Sequence, residues 1–485
     1  MTITSFTRLR YIFVAALSLV ATDAREAAAQ TTGTNYQQLM FFDAARSWGA
    51  NPISGVIFGS DGTLYGTAVT SVTGNFGALY GVATNGAGHR AVVSLPYGVP
   101  YGRLLAGPDG ALYGTAQNGG SLSAGSIFKV DTDGGGYTNI YSFGTTPDDG
   151  ADIIEGVVMG LDGALYGTTS DDFTTNRCGV IFKINPDGTG YQILHQFSTN
   201  AVTGATVDGS TPRARLLVGR DGALYGTTAG GGSTLNFPYD PGTVFKINPD
   251  GTGYQVLHSF VFSDGYDTQT ELIQETNGML FGTTAYGGPD DSGVIFTLST
   301  NGTDFAVLYN FTTPIYGAAA QPSSLALAPD GAFYGTTQVG GLTNATYPDG
   351  MGTVFRVNTD GTGYTTIYSF SGEDGRLPTS GVTVAADGTL YGTTEFGGYM
   401  DGGVVFKLSS TPPATVSIID SASTSNGFLL TASGAPAQNW TVQNTASLRS
   451  AWQILATTNT DTFGLFQYLD TGATNSIGFY RTATP

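Results

Sequence analysis

A chain of 485 residues with 18 basic and 37 acidic side chains, a formal charge of −19, offers no clustered Lys and Arg to neutralise phosphates and so excludes nucleic acid as a partner class. Only 11% of residues are charged, while glycine occurs 72 times and aromatics reach 12%, a balance that suits many short strands joined by tight turns better than helices. One cysteine, Cys178, rules out an internal disulfide and reads as a small buried hydrophobe.

In chain order, Arg8 and Arg10 precede an apolar run from Tyr11 to Val20, and Ala27-Ala28-Ala29 stand before Gln30. Basic start, short apolar core and small-residue site together predict a signal peptide over residues 1–29, with secretion to the exterior or cell surface of a bacterium. No later stretch is apolar enough for a membrane helix, so no span is expected once the signal is removed. Next comes "TNYQQLMFF", Thr34 to Phe42, which reads as the end of a unit whose beginning is missing.

The motif "DGALYGT" at Asp109 to Thr115 then recurs with small changes, giving seven copies whose central aromatics are Tyr65, Tyr113, Tyr166, Tyr225, Phe281, Tyr334 and Tyr391. Their spacings of 48, 53, 59, 56, 53 and 57 residues match the size of a four-stranded propeller blade. The fourth copy shows the plan: "RARLLVG", Asp221-Gly222, "ALYGTT", a Gly-rich loop, "GTVFKI", "NPDGTG" and "YQVLHSF". These segments predict strands A to D of one antiparallel meander. Asp-Gly between apolar runs predicts type I′ hairpin turns, with positive φ at both central residues. The glycine after each central aromatic predicts close packing that leaves room for a large group of the next blade.

The seventh copy supplies A, B and C and then breaks off at "SSTPP", Ser409 to Pro413. "TNYQQLMFF" matches its missing D strand, so the chain's start is expected to close the ring and remove two exposed sheet edges. The predicted fold is all-β: a seven-bladed β-propeller over 30–409 closed by an N-terminal strand, a linker at 410–415, and a small C-terminal β-sandwich over 416–485. The sandwich follows from alternation in "GFLLTASG", "NWTVQNT", "AWQILAT" and "FGLFQYLD", with Trp440 and Trp452 as expected core.

In such a meander the A–B and C–D turns share one rim, and the longer, dissimilar B–C and D–A connections share the other. Function is expected on that second rim and at the channel mouth. An aromatic close before an acid recurs there: Tyr239 with Asp240, Tyr286 with Asp290 and Asp291, Tyr347 with Asp349, and Tyr399 with Asp401. A tyrosine face beside a carboxylate acceptor fits sugar recognition, whereas the plain alternative is that the acids turn the loops and the rings pack over blade edges. Two acid clusters, Asp148-Asp149 with Asp152 and Asp290-Asp291, raise the question of calcium, but neither has an established ligand spacing, so no cofactor is implied and the metal is unknown.

Catalytic signatures such as HExxH, GxSxG or a P-loop do not occur. His195 and His258 occupy the strand-D position held elsewhere by Tyr141, Tyr309 and Tyr368, which reads as interchangeable aromatic packing. A lysine recurs on strand C at Lys129, Lys183, Lys246 and Lys407, but Arg356 and Thr297 replace it in other copies, as expected of a solvated strand position.

The unit "DGxLYGTT...GG...GxVFKxxxDGTGYxxLxSF" resembles the GloVer tandem-repeat family of exported bacterial proteins, over about residues 34 to 409. The weakest copy is the first, where "GALYGVATNGAGHRAVVSL" lacks the usual Phe-Lys and Tyr. The resemblance implies export and a repeated β architecture, and carries no catalytic residues. The ending "GFYRTATP" is similar to short modules that close many exported bacterial proteins, either sorting domains or plain spacers. The expectation is a secreted, non-enzymatic binding or adhesion protein for an extracellular glycan or cell-surface protein. A polysaccharide lyase or glycosidase with carboxylates at the channel mouth and a structural surface component remain as alternatives.

Overall fold

A computed structural model describes residues 35–43, 49–70, 77–146, 148–171, 178–198, 206, 208–232, 241–312 and 320–409, together with six strands between Ser417 and Ala483. The signal-peptide reading, the 410–415 linker, Tyr239, Asp240 and Trp452 lie outside them. The described residues contain strands and turns and no helix. Residues 38–407 form one compact unit, and the six strands between Ser417 and Ala483 belong to another.

The first unit is the seven-bladed propeller, with seven four-stranded antiparallel sheets in sequence order. Blade 4 is typical: Leu217–Val218, Leu224–Thr228, Thr243–Ile247 and Gln255–Ser259 are strands A to D. Tyr225 pairs with Lys246 and Gly226 with Phe245. In the seventh blade the outermost strand is Asn35–Phe41, hydrogen-bonded beside Val404–Ser409, and the amide of Phe42 donates to Gly403 O at 2.9 Å. Leu39, Met40 and Phe42 share a core with Tyr391 and Val405 of blade 7 and with Val56, Leu64 and Tyr80 of blade 1. Closure therefore joins the end of the repeat array to its beginning through buried apolar contact.

The turns differ in type from the expectation. Gly110 N donates to Gly107 O, and Gly107 N to Ala111 O, while only the glycine of each Asp-Gly pair in the A–B and C–D hairpins takes positive φ, as in Gly110 at 82°. This is a type I turn with a glycine bulge, which spares the aspartate the left-handed region that type I′ would demand. The aspartate serves the blade instead. Asp109 Oδ2 accepts from Tyr113 OH at 2.8 Å and pairs with Lys129 Nζ at 2.7 Å, and the Asp162/Lys183 and Asp221/Lys246 pairs repeat the arrangement. In the degenerate first blade, Arg90 Nη2 reaches Tyr65 OH at 3.2 Å and supplies the cation that strand C lacks.

The glycine after the aromatic makes room within its own blade and not for the next one. A Cβ on Gly114 would stand 2.3 Å from Phe128 Cζ, on the paired strand C, because that ring folds back over the backbone. Gly114→Ala is expected to cost about 1–3 kcal/mol by overpacking, read as a lower urea midpoint with an unchanged slope. It is the tyrosine that faces the next blade: Tyr166 and Ile181 pack against Leu216, Leu224 and Phe245.

The strand-D histidines behave as the aromatics they replace. His195 stacks on Tyr254 at 3.7 Å and His258 on Phe305 at 3.6 Å, as Tyr141 stacks on Tyr191 and Tyr309 on Tyr364. Each polar tip among His195, His258 and Tyr141 bonds an aspartate of the following connection: Asp208, Asp264 and Asp149.

In the second unit, Ser417–Thr424, Gly427–Ser433 and Leu465–Asp470 form one three-stranded antiparallel sheet, and Gln453–Asn459, Asn439–Thr445 and Phe479–Ala483 form another. Two such sheets are the makings of the expected sandwich. Trp440 lies on the strand Asn439–Thr445; its side chain falls outside the description.

Candidate functional site

Each short strand A is entered through three residues that lie toward the long-loop rim, since the strand itself runs to the Asp-Gly turn. The seven A strands register on the residue opposite the B-strand aromatic, as in Ile57 with Tyr65, Leu105 with Tyr113 and Leu217 with Tyr225. Two positions earlier stand Gly55, Arg103, Gly156, Arg215, Glu271, Ser324 and Gly381. One position before those, Glu155 aligns with Ser54, Gly102, Ala214, Thr270, Ser323 and Ser380. The same place in the blade thus carries glycine in three copies and charge in three others.

All of these residues but Gly102, Gly156 and Ala214 line one cavity of about 790 Å³ that touches all seven blades. Backbones crowd together along it: a side chain on Gly156 would meet Arg103 O at 1.9 Å. Across the cavity, Glu271 of blade 5 lies 3.9 Å from Arg103 of blade 2 and 3.7 Å from Arg215 of blade 4. Arg103 Nη2 also donates to Thr383 Oγ1 of blade 7 at 2.7 Å. Arg215 Nε and Nη2 donate to Val157 O of blade 3 at 3.2 and 3.0 Å. Five blades are thereby tied across the axis by two guanidinium groups and one carboxylate, an arrangement whose attraction is strengthened by its half-buried setting.

Glu155 stands apart from these pairs. Burial, reinforced by the charge of Glu271, pushes its carboxyl up to about 7, against the opposing pull of the Gly156 amide and Arg215. Burial likewise raises Glu395, with Arg376 pulling it down. At the mouth lie Tyr101, Arg213, Gln269, Tyr286, Gln321, Gln338 and Glu395, and Gln321 Nε2 donates to Tyr286 OH at 2.7 Å. The Nε atoms of Arg103 and Arg213 are buried with no hydrogen-bond partner among the described residues.

The tyrosines and acids singled out on the rim fall into different settings. Tyr286 enters the channel mouth and stacks on Tyr266 at 5.3 Å. Tyr347 covers Arg376, whose guanidinium lies 4.9 Å from that ring and 4.5 Å from Phe396. Tyr399 is 84% exposed. Asp290 is exposed, and Asp349 has a buried Oδ1 without a partner among the described residues. Asp291 and Asp401 hold positive φ of 53° and 55°. Each accepts through Oδ1, at 2.9 Å, the amide of the glycine four residues earlier, Gly287 or Gly397. Asp401 also pairs with Arg376 at 2.9 Å. These two acids shape their loops. Asp149, 1% exposed, does the same in its connection, accepting from Gly144 N, Thr145 N and Thr145 Oγ1. Among the described residues no three His, Cys, Asp or Glu side chains are grouped to hold a metal ion.

No motif shared by the repeats marks the channel residues, because Arg103, Glu155, Arg215 and Glu271 stand at positions that differ from copy to copy. A signal was available: aligned on their hairpins, the copies carry glycine, serine, arginine or glutamate at the one position two before the strand-A residue that pairs with the aromatic.

The family model of the Gloeobacter/Verrucomicrobia repeat matches residues 28–237 and 212–447. Comparison with curated proteins gives no match. Among solved structures, an oligogalacturonate lyase in complex with manganese is similar over 78% of this chain and 94% of its own, with 12% identity and a TM-score of 0.50. A fungal alcohol oxidase in complex with copper covers 94% of this chain and 100% of its own at 14% identity, TM-score 0.48. An oligogalacturonate lyase from Vibrio parahaemolyticus covers 78% and 97% at 11% identity, TM-score 0.47. At 12% identity the likeness to the manganese-bound lyase extends to the fold alone.

Proposed function

The chain belongs to the Gloeobacter/Verrucomicrobia repeat family, and from that premise we propose an exported, non-enzymatic binding protein that takes an extracellular glycan at the channel mouth on the long-loop rim. The observation that carries this reading is the 790 Å³ cavity, whose mouth combines the rings of Tyr101 and Tyr286 with the amides of Gln269, Gln321 and Gln338. Tyrosine faces accept the CH surfaces of sugar rings, and side-chain amides both donate to and accept from hydroxyls. Tyr286, fixed by Gln321 and stacked on Tyr266, offers such a face at little cost in side-chain entropy. Export rests on the reading of residues 1–29 as a signal peptide.

A second reading, glycan cleavage, is favoured by Glu155. A half-buried carboxyl poised near neutrality beside a second carboxylate is suited to moving a proton. One experiment separates the two. The purified chain is incubated with soluble and insoluble polysaccharides, and both retained protein and released sugar are scored. Retention without release is expected, with a loss of at least about tenfold in Tyr286→Ala. Released oligosaccharide would establish cleavage instead, and Glu155→Gln should then abolish it. Neither retention nor release would remove the glycan and leave a cell-surface protein as the partner to seek.

A further inference from the structure

We propose that the channel mouth holds an anion subsite, formed by Arg213 with Arg103 and Arg215 beneath it, which receives the carboxylate or sulfate of an acidic saccharide. The proposal rests on the glycan-binding reading above and names the chemical class of that glycan.

The chain has 18 basic side chains among 485 residues, and three of them converge on one cavity. Outside it most of the described cations are spent on the fold: Lys129, Lys183, Lys246 and Arg356 on their hairpin aspartates, Arg376 on Asp401, Arg90 on Tyr65 OH and Thr132 O, and Lys407 over the Tyr391 ring. Arg213 has no ion pair among the described residues, and its Nε is buried and unbonded. Asp267 feels the Arg213 guanidinium charge but accepts through Oδ2 from the Gln269 amide at 2.8 Å. Arg103 shares the deficit, with Nε likewise unbonded. Buried donors left unmet cost free energy, and a planar guanidinium is the group that best receives an oxyanion through two parallel bonds.

The balance of charge agrees. Against three arginines the cavity sets Glu271, already shared by Arg103 and Arg215, together with Glu155 and Glu395, both raised by burial. With its carboxyl pushed up to about 7, Glu155 is only partly ionised near neutral pH, so the lining carboxylates do not outweigh the three guanidinium groups. In a protein of net charge −19, which repels polyanions at large, a local cationic cavity selects for an anion bound at that one place.

The test uses the full chain and matched pairs of polymers: alginate and hyaluronan against their carboxyl-reduced forms, and chondroitin sulfate against both its carboxyl-reduced and its desulfated forms. Affinity is measured by titration calorimetry at fixed salt. At least one acidic polymer is expected to bind tenfold or more tightly than its neutralised partner, and the pair in which the difference appears identifies carboxylate or sulfate. Arg213→Gln should erase that difference while leaving affinity for the neutralised form and the melting temperature unchanged, and Arg213→Lys should restore part of it. Equal binding of acidic and neutralised forms would overturn the subsite while leaving glycan binding in place. A loss in Arg213→Gln that is equal for both forms would also overturn it, as a structural effect. Failure of every polymer, charged or neutral, to bind would remove the glycan reading and the subsite together.

Discussion

Deletion of residues 35–42 is expected to abolish cooperative folding of the propeller. Without this segment blade 7 keeps only three strands, and Val404–Ser409 becomes an exposed edge, a template for intermolecular pairing. Leu39, Met40 and Phe42 are 5%, 4% and 0% exposed, and each buried side chain of this size contributes about 1.5–3 kcal/mol. Their summed loss is comparable to the whole stability of a typical domain, about 5–15 kcal/mol. The truncated chain should elute as aggregate and show no sharp thermal transition. A milder version isolates the packing term. Phe42→Ala, which removes a ring set edge-on to Tyr80 at 4.8 Å, is expected to cost about 3–5 kcal/mol while leaving the chain monomeric. A truncated chain that melts like the parent would mean that the ring does not depend on closure.

That closure was legible in sequence because it is a problem of bookkeeping along the chain. Strand D follows strand C in six blades, the seventh lacks it, and a spare segment of the right pattern stands at the start. The stacking roles of His195 and His258 were legible for the same reason, since position within a repeat fixes the neighbours. What sequence could not give were facts set by three dimensions alone. Asp-Gly marks a hairpin in either turn type, and only the folded backbone, with Gly107 and Gly110 bonded as described and φ positive at the glycine alone, separates them. The glycine beside each aromatic announces a close neighbour without saying which. The structure finds it on strand C of the same blade, as Phe128 over Gly114. Arg103, Glu155, Arg215 and Glu271 come from four different blades and meet only when the ring is complete. An aromatic-acid pattern on the rim was legible as well, but Asp291 and Asp401 answer to local turn geometry.

Glu155→Gln is expected to stabilise the protein, in a manner set by pH. Burial and the charge of Glu271 raise the Glu155 carboxyl from 4.5 to about 7, partly offset by Arg215, and Arg103 is close enough for its own guanidinium to feel Glu155. A folded-state value above the unfolded one means that the native state holds the proton more tightly. Stability from this group is complete below about pH 4.5 and is lost as pH rises through about 7. The native state with ionised Glu155 therefore carries a penalty of about 2–3 kcal/mol at pH 8. Glutamine keeps the shape without the charge, so the variant should gain about that much at pH 8, less than about 1 kcal/mol at pH 5, and nothing near pH 4. Urea titrations at the three pH values check the sign and the window. Equal stability of the two proteins at pH 8 would show that the carboxylate is as well solvated in the channel as in the unfolded chain. The expected gain bears on function, because the Glu155 carboxyl is met by backbone amides alone, with Oε2 accepting from Gly156 N at 3.3 Å and the Arg103 amide beside it. A charge that weakens the fold, sits in the cavity and bonds so little of it is placed to serve whatever enters the channel, by binding a hydroxyl or by moving a proton.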